Sequence, residues 1–282
     1  MSIKVTSDST CDLTPELLSR YNVTLTPLSV IKNGESFLDG VDITPEDIYR
    51  HVDNGGTLCS TSAVNVDGYR KLFKELSAQY EAVIHITIGA QFSACYQNAS
   101  IAASNFKNVY VVDSMNLSTG QGHLVIEACE LAAQGISAVE ICARLNELRG
   151  RVFASFILDR LDYMQKGGRC SSIVALGGKL LHIKPQIAVV DGSMKMVDKY
   201  RGSLEKCVDK YVKGLLKDRK DLRLDRIFIT HSPVSEEAVR IARETIKKYA
   251  DFKDENIFET SANCTIACHC GPGTLGVLFM TK

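Results

Sequence analysis

The sequence predicts an α/β protein of two domains, the first built on a mostly parallel sheet flanked by helices and the second an α+β domain with a mixed sheet. Strand and helix patterns alternate through the first half, which is typical of a parallel sheet with helices on both faces. In the second half, Asp191-Gly192 separates two apolar runs and predicts an antiparallel hairpin. The 282 residues suit about two ordinary domains. We place the boundary at residue 150, which gives domains 1–150 and 151–282.

Two helices of the first half are predicted to begin at a threonine that is followed by proline and glutamate. Thr14 and Thr44 are the expected N-caps, because a threonine hydroxyl accepts a bond from a free N–H of the first turn and proline fits the first helical position. A strand over 3–6 precedes them and ends at Ser7-Asp8-Ser9-Thr10. The other elements expected in this half are extended structure over 23–31, strands over 82–88 and 109–112, and helices over 91–103, 121–134 (amphipathic) and 138–148.

The second half combines the hairpin with further helices. The two arms of the hairpin are predicted over 183–190 and 194–199. The sequence Lys166-Gly167-Gly168-Arg169 predicts a tight basic turn before an apolar helix. The remaining predicted elements are strands over 152–158 and 226–231 and helices over 203–216 and 235–249.

Composition argues against a nucleic-acid-binding or membrane-spanning protein. The 33 Lys and Arg balance 33 Asp and Glu, so no net charge attracts the chain to nucleic acid. We expect neither a secretory signal nor a membrane span, because the chain contains no apolar run of the required length. The ten cysteines are spaced irregularly, unlike a disulfide framework, and predict a reducing cytoplasm.

Two glycine motifs resemble nucleotide sites only in part. Gly271-Pro272-Gly273-Thr274-Leu275-Gly276 has the spacing of a dinucleotide fingerprint, but too few residues follow it to form the required helix. Gly177-Gly178-Lys179 lacks the Ser or Thr that holds magnesium in a P-loop. The sequence therefore gives direct ATP binding little support.

A zinc site and a nucleophilic catalyst are also weakly marked. Cys268, His269 and Cys270 are consecutive, so in an extended segment the middle side chain points away from its neighbours. Together with Cys264 they lack the ligand spacing of familiar zinc sites, and we expect no metal. Ser93 lacks the flanking glycines of a hydrolase nucleophile elbow.

Ser93 lies where an apolar strand is predicted to turn into a helix. Free N–H groups at a helix start attract anions, and a hydroxyl there adds a donor, but this stretch alone favours Ser93 as a simple helix cap. Other hydroxyl, imidazole and guanidinium groups share this placement at the ends of elements. Such donors beside apolar elements suit a ligand with a carboxylate head and an apolar body. The set comprises residues 7–10, Thr61, Ser62, Ser93, Ser114, Arg169, Arg201 and His269.

The order of these motifs resembles the DegV family, whose members bind lipids and include the fatty-acid-binding subunit of bacterial fatty acid kinase. The resemblance runs over almost the whole chain. Its most specific parts are the block 161–169, which ends in Lys-Gly-Gly-Arg, and His269 followed by Gly271-Pro272-Gly273. Further matches are Ser7-Asp8-Ser9-Thr10, Thr61-Ser62, Ser93 with Tyr96-Gln97, Val112-Asp113-Ser114, Ile183-Lys184-Pro185, Asp191-Gly192 and Lys199 with Arg201.

The resemblance implies a long-chain fatty acid held in a tunnel between the two domains. It assigns the carboxylate of the fatty acid to Thr61, Ser62 and Ser93, with His269 of the second domain behind them. It assigns contact with a partner kinase to Arg169. Four residues are expected to support these groups from behind: Asp8, Ser9, Ser114 and Arg201.

The sequence departs from the family pattern next to two of these hydroxyls. Ala63-Val64-Asn65 stands where the family usually has Gln-Pro-Ser, and Ala94-Cys95 stands where it usually has Gly-Thr. The hydroxyls are kept, whereas the polarity around them changes.

The resemblance therefore predicts a cytoplasmic carrier, not an enzyme, that presents the fatty acid carboxylate to a separate ATP-dependent kinase. The fatty acid is the ligand, no cofactor is expected, and brief membrane contact would allow lipid exchange. The alternative is a stand-alone hydrolase or small-molecule kinase that uses Ser93, His269 and an acid such as Asp8.

Overall fold

The computed structural model describes residues 2–175 and 183–282, so Gly177-Gly178-Lys179 and most of the apolar helix predicted after Arg169 lie outside the described residues. The strands are β1 (Ile3–Asp8), β2 (Thr24–Thr26), β3 (Ser29–Lys32), β4 (Glu35–Leu38), β5 (Ser60–Ser62), β6 (Ala82–Thr87), β7 (Val109–Asp113), β8 (Val152–Ile157), β9 (Ile183–Val190), β10 (Ser193–Arg201), β11 (Leu222–His231), β12 (Ile257–Ser261) and β13 (Leu275–Thr281). The helices are α1 (Pro15–Arg20), α2 (Pro45–Asp53), α3 (Val66–Gln79), α4 (Cys95–Ala103), α5 (Ser118–Ala133), α6 (Ala138–Leu148), α7 (Asp162–Gly167), α8 (Ser171–Val174), α9 (Leu204–Leu216), α10 (Glu236–Tyr249) and α11 (Cys264–Cys270).

The first half forms the predicted parallel sheet, in the order β2-β1-β6-β7. Neighbouring side chains of β6 point to opposite faces, so Val83 packs with α3 and α4 while Ile84 packs with α5 and α6. Thr14 and Thr44 cap α1 and α2 as expected, each accepting a backbone N–H. The α/β prediction for this half is confirmed.

The second half forms a mixed sheet in the order β10-β9-β8-β13-β11-β12, in which β11 and β12 pair in parallel and the other neighbours are antiparallel. Asp191 and Gly192 both have positive φ, as a tight hairpin turn between right-twisted strands requires. Helices α9 and α10 cover one face of this sheet. The mixed-sheet prediction is confirmed, while the exact division at residue 150 stays a prediction.

Helix α5 differs from its prediction, because it is buried on nearly all sides instead of amphipathic and begins three residues earlier. It packs between the parallel sheet and the mixed sheet. Its polar side chains find buried partners: Gln121 Nε2 donates to Ser7 Oγ (2.8 Å), and His123 Nε2 lies 3.2 Å from the Leu278 carbonyl oxygen. The amphipathic prediction placed these polar residues on a solvent-exposed face, whereas they connect the two halves of the protein.

Three further local differences shape the site. The extended segment 23–31 divides into β2 and β3, and β3 pairs antiparallel with β4 and β5 in a small sheet. Helix α4 begins at Cys95, four residues later than predicted, so Ser93 lies in the loop before it. Residues 264–270 form helix α11 instead of an extended segment.

In the part of the chain that the structure describes, no helix combines the length and the apolar character needed to cross a membrane.

Candidate functional site

A cavity of about 470 Å³ lies beyond the carboxyl end of the parallel sheet, against α7 and α11 of the second half. Ligands of α/β proteins commonly bind at this end of the strands. The cavity combines an apolar wall with polar groups. Its apolar lining is Leu28, Ala63, Ile88, Phe92, Ala94, Leu117, Met164, Met194, Ile266 and Cys270, and its polar lining is Thr61, Ser62, Asn65, Ser93, Asn98, Arg169, Thr265 and His269. The cavity thus brings together the five residues assigned to the fatty acid and the kinase.

Thr61 and Ser62 lie on β5, whose register against β3 aligns Thr61 with Val30. Thr61 Oγ1 lies 2.8 Å from His269 Nε2, and this hydrogen bond joins β5 to α11 across the cavity wall. Ser62 is exposed at the rim of the cavity. Thr61 therefore meets His269 at the cavity although 208 positions separate the two residues in sequence.

His269 is held as a neutral imidazole. Burial, together with the smaller effect of the positive charge of Arg169, lowers the pKa of His269 to about 4. The ring packs tightly on α7, since a Cβ at Gly167 would lie 2.3 Å from His269 Nδ1. No hydrogen-bond partner for Nδ1 occurs among the described residues. The imidazole thus keeps one ring nitrogen for Thr61 and does not carry charge at neutral pH.

Ser93 lies in the loop between β6 and α4. Its Oγ accepts the backbone N–H of Cys95 at 3.3 Å and donates to Cys95 Sγ at 3.2 Å. The N-cap position itself belongs to Ala94, whose side chain makes no capping bond. Ser93 is therefore a half-exposed hydroxyl of the cavity with a helix-start contact, one residue before the cap.

Arg169 lies just after α7 and is exposed at the cavity. Its Nη1 donates to the Gly167 carbonyl oxygen (2.6 Å) and its Nε donates to that of Phe92 (3.4 Å). Gly168, with φ of 69°, ends α7 in the left-handed conformation that glycine adopts without strain. These contacts place the guanidinium beside the loop that carries Ser93.

The four residues predicted to stand behind the site are absent from the cavity lining. Asp8 is buried and accepts bonds from Tyr69 (2.6 Å), His85 (3.2 Å) and the backbone N–H of Ile88 (2.9 Å). Because Ile88 lines the cavity, Asp8 fixes part of its wall.

Ser9 and Ser114 also support lining residues, whereas Arg201 does not. Ser9 Oγ accepts the N–H of Leu28 (3.2 Å). Ser114 exchanges hydrogen bonds with the backbone of Asn116, in the turn just before Leu117. Arg201 is exposed at the end of β10.

Sequence reasoning missed several residues that shape the cavity. Asn98 Nδ2 donates to the Val64 carbonyl oxygen (2.8 Å), which ties α4 to the loop after β5. Asp39 is buried and accepts the N–H groups of Cys264 (2.9 Å) and Thr265 (3.2 Å), so it fixes the start of α11. Among these missed residues, only Asn65 could have been predicted, because an asparagine just before a helical pattern is a typical N-cap.

Within the described ranges, no cluster of His, Cys, Asp and Glu could hold a metal ion. Cys268, His269 and Cys270 point in different directions around α11, since adjacent residues of a helix do not share a face.

The neutral state of His269 predicts a pH-dependent contribution to stability. The folded pKa of about 4 lies below the ordinary 6.5, so the unfolded chain takes up this proton first as the pH falls. The contribution is therefore complete above pH 6.5 and is lost as the pH falls toward 4. We expect the unfolding free energy of the wild type, relative to His269→Gln, to fall by about 1.4 kcal/mol per pH unit in this window. Urea unfolding of both proteins measures the difference, and a pH-independent difference would contradict the prediction.

Gly167→Ala tests the close packing of α7 on His269. The added Cβ would lie 2.3 Å from Nδ1, so the ring must move outward and the Thr61–His269 hydrogen bond must weaken. We expect the pKa of His269 to rise toward its ordinary value, measured by NMR titration of the imidazole. Gly214→Ala is the control, since its Cβ would meet only Tyr200 Oη at 3.8 Å. An unchanged His269 pKa in Gly167→Ala would show that the ring is not confined by Gly167.

The chain is similar over its full length to one protein family. The family model described as an uncharacterised protein of the DegV family matches residues 2–282. A DegV domain-containing protein from Clostridium acetobutylicum is 31% identical over 283 residues, which cover 99% of this chain and 99% of the relative.

Solved structures give the same result. A DegV family protein from Thermus thermophilus, described by its fatty acid binding, superposes with a TM-score of 0.89 at 28% identity and covers 100% of both chains. A stearic-acid-binding protein from Eubacterium ventriosum superposes with a TM-score of 0.85 at 27% identity, covering 99% of this chain and 98% of that one. The motifs, the fold and the match to the family model agree, and the chain belongs to the DegV family.

Proposed function

We propose that this protein binds one long-chain fatty acid in the cavity and presents its carboxylate to a separate kinase, which forms an acyl phosphate. The observation that carries the proposal is the cavity itself, which joins an apolar wall to Thr61, Ser62, Ser93 and Arg169. Its volume of about 470 Å³ falls within the range of about 300–1,000 Å³ that small-molecule sites have. The hydroxyl groups suit the carboxylate, the exposed guanidinium of Arg169 suits the partner kinase, and the apolar wall suits the acyl chain.

Burial of the acyl chain would supply enough free energy for stable binding. At about 0.8 kcal/mol per buried CH₂, a chain of roughly fifteen such groups contributes about 12 kcal/mol before costs. The loss of ligand freedom and the ordering of side chains reduce this considerably. The resulting affinity would be ordinary for a carrier that must also release its ligand.

The protonation of His269 supports Thr61 as a donor to the carboxylate. A neutral imidazole that carries its proton on Nε2 donates to Thr61 Oγ1, which lies 2.8 Å away. The Thr61 hydrogen is then free to bond a carboxylate oxygen. In this tautomer Nδ1 carries a lone pair and needs no acceptor, in keeping with its lack of a hydrogen-bond partner among the described residues. His269 thus sets the direction of the Thr61 hydroxyl.

Solved relatives support the same ligand class. The relatives from Thermus thermophilus and Eubacterium ventriosum are described as binding fatty acid and stearic acid, and both share more than a quarter of their residues with this chain. The hydroxyls Thr61 and Ser93 would hold the head group, with Ser62 at the rim.

The rival function, a catalyst acting alone, is less well supported. Among the described contacts, the hydrogen-bond partner of His269 is Thr61, and Ser93 bonds Cys95 instead of an imidazole. Both Asp8 carboxylate oxygens are occupied by other donors. These residues therefore lack the connected nucleophile, base and acid that such a reaction needs. A separate kinase would bind ATP and transfer its phosphoryl group, and we infer a cytoplasmic location from this use of ATP. Brief membrane contact would allow lipid exchange.

Native mass spectrometry of the purified protein tests the proposal, together with solvent extraction of the bound lipid. We expect one fatty acid per chain, replaceable by added fatty acid of similar length. The isolated chain should not hydrolyse esters or transfer phosphate. A protein that is empty and takes up no fatty acid would overturn the proposal, and turnover that depends on Ser93 would establish the rival function.

A further inference from the structure

Cys59 and Cys268 form a buried pair of thiols on the two elements that the Thr61–His269 hydrogen bond also joins. Cys59 precedes β5 directly and Cys268 lies on α11. Both belong to one apolar cluster and are 5% and 3% exposed. The two thiols therefore share one small buried cluster, where each affects the pKa of the other.

The geometry of a strand explains why this pair forms. Residues two apart on an extended chain face the same side, so Cys59 and Thr61 both point toward α11. There they meet the consecutive residues Cys268 and His269. β5 is an edge strand of its small sheet, and the neighbouring Ser60 is exposed, so the buried pair lies close beneath the protein surface.

The two thiols are chemically unequal. The interaction with the Cys268 thiol lowers the pKa of Cys59 to about 7, with help from Lys32, whereas the same interaction and burial raise the pKa of Cys268. Cys264 lies one turn from Cys268, but burial raises its pKa to about 12, and its Sγ donates to the Ile43 carbonyl oxygen at 3.1 Å. Cys59 is thus the more nucleophilic thiol and Cys268 is placed to resolve it.

We propose that Cys59 and Cys268 are a redox modification site, a dithiol that a hydroperoxide oxidises to a reversible disulfide between β5 and α11. The Cys59 thiolate attacks the O–O bond of the hydroperoxide, an S–O bond forms, and the released alkoxide takes up a proton to leave as an alcohol. Cys268 then attacks the sulfenic sulfur of Cys59, the S–S bond forms, and water leaves. Two thiols and one hydroperoxide give one disulfide, one alcohol and one water.

The disulfide would fix the wall of the cavity that carries Thr61 and His269. Cys59 lies two residues before Thr61, and Cys268 adjoins His269, so the crosslink restrains both partners of their hydrogen bond. A consequence that rests on the proposed function is slower release of the fatty acid from the oxidised protein. Dissociation slowed severalfold by oxidation, and restored by a thiol reductant, is the expected result.

Oxidation of the reduced full-length protein with hydrogen peroxide, followed by alkylation and peptide mapping, tests the proposal without any lipid. We expect a Cys59–Cys268 peptide to form before Cys129 or Cys142, which are half-buried elsewhere, become oxidised. The intact mass should fall by two hydrogens, and a thiol reductant should reverse the loss. The mapping result does not depend on fatty acid binding, so failure of this proposal can be distinguished from failure of the proposed function.

Three variants separate the roles of the two thiols. Cys268→Ser should leave Cys59 as a sulfenic acid that a dimedone probe captures, Cys59→Ser should abolish both products, and Cys129→Ser should behave as the wild type. If a variant folds poorly, the order in which the wild-type cysteines are oxidised still tests the proposal. The proposal is overturned if Cys59 and Cys268 stay reduced while other cysteines react, or if Cys59 pairs with a different cysteine.

Discussion

The double variant Thr61→Val/Ser93→Ala is expected to bind a long-chain fatty acid much more weakly than the wild type. Each hydrogen bond to a charged carboxylate contributes about 1.5–3 kcal/mol, so each single variant should lose at least about tenfold in affinity. The double variant should lose more than either single variant but less than their product, because both hydroxyls would share one carboxylate. Displacement of a fluorescent fatty acid measures all four affinities.

Two controls make this result specific to the head group. Ser60→Ala removes an exposed hydroxyl beside Thr61 and should leave the affinity unchanged. The methyl ester of the same fatty acid should bind the wild type and the double variant almost equally, since it lacks the charge that the hydroxyls recognise. Equal affinity of the wild type and the double variant for the free acid would show that the carboxylate lies elsewhere.

Most of the fold could be predicted from local signals. The caps Thr14 and Thr44 and the Asp191-Gly192 turn act through neighbouring backbone atoms, so a short stretch of sequence contains the whole cause. Helix α5 could not be predicted in the same way. Its His123 and Gln121 are polar because they bond Leu278 and Ser7 across a buried interface, and periodicity alone cannot tell such residues from a solvent face.

The contacts of the site were even harder to predict from the sequence than those of helix α5. A family resemblance, not spacing, assigned Thr61, Ser93 and His269, because the residues that meet in the cavity are far apart in sequence. Asp39 escaped notice since a lone aspartate carries no sign that it will hold the start of α11. The placement of Cys59 opposite Cys268 likewise depends on how β5 meets α11.

A substitution of Arg169 best separates fatty acid binding from presentation of the fatty acid to the kinase. Its guanidinium is exposed at the cavity and is tied by backbone carbonyl oxygens to α7 and to the loop before Ser93. In the proposed function the hydroxyls hold the carboxylate, so the guanidinium is left to meet the kinase or the phosphate being transferred. Arginine suits this role because it can donate two parallel hydrogen bonds to a phosphate, which lysine cannot.

Arg169→Ala is therefore expected to keep fatty acid affinity and thermal stability near those of the wild type while reducing acyl phosphate formation with the partner kinase by about tenfold to a hundredfold. This range follows from one lost charge-assisted contact of about 1.5–3 kcal/mol. Arg169→Lys should recover only part of the rate, and Lys166→Ala, which removes an exposed charge outside the cavity lining, should retain it. Acyl phosphate trapped with hydroxylamine, measured beside fatty acid displacement, gives both quantities. Loss of fatty acid binding in Arg169→Ala would assign the guanidinium to the ligand site. A normal rate of acyl phosphate formation would show that Arg169 does not contact the kinase.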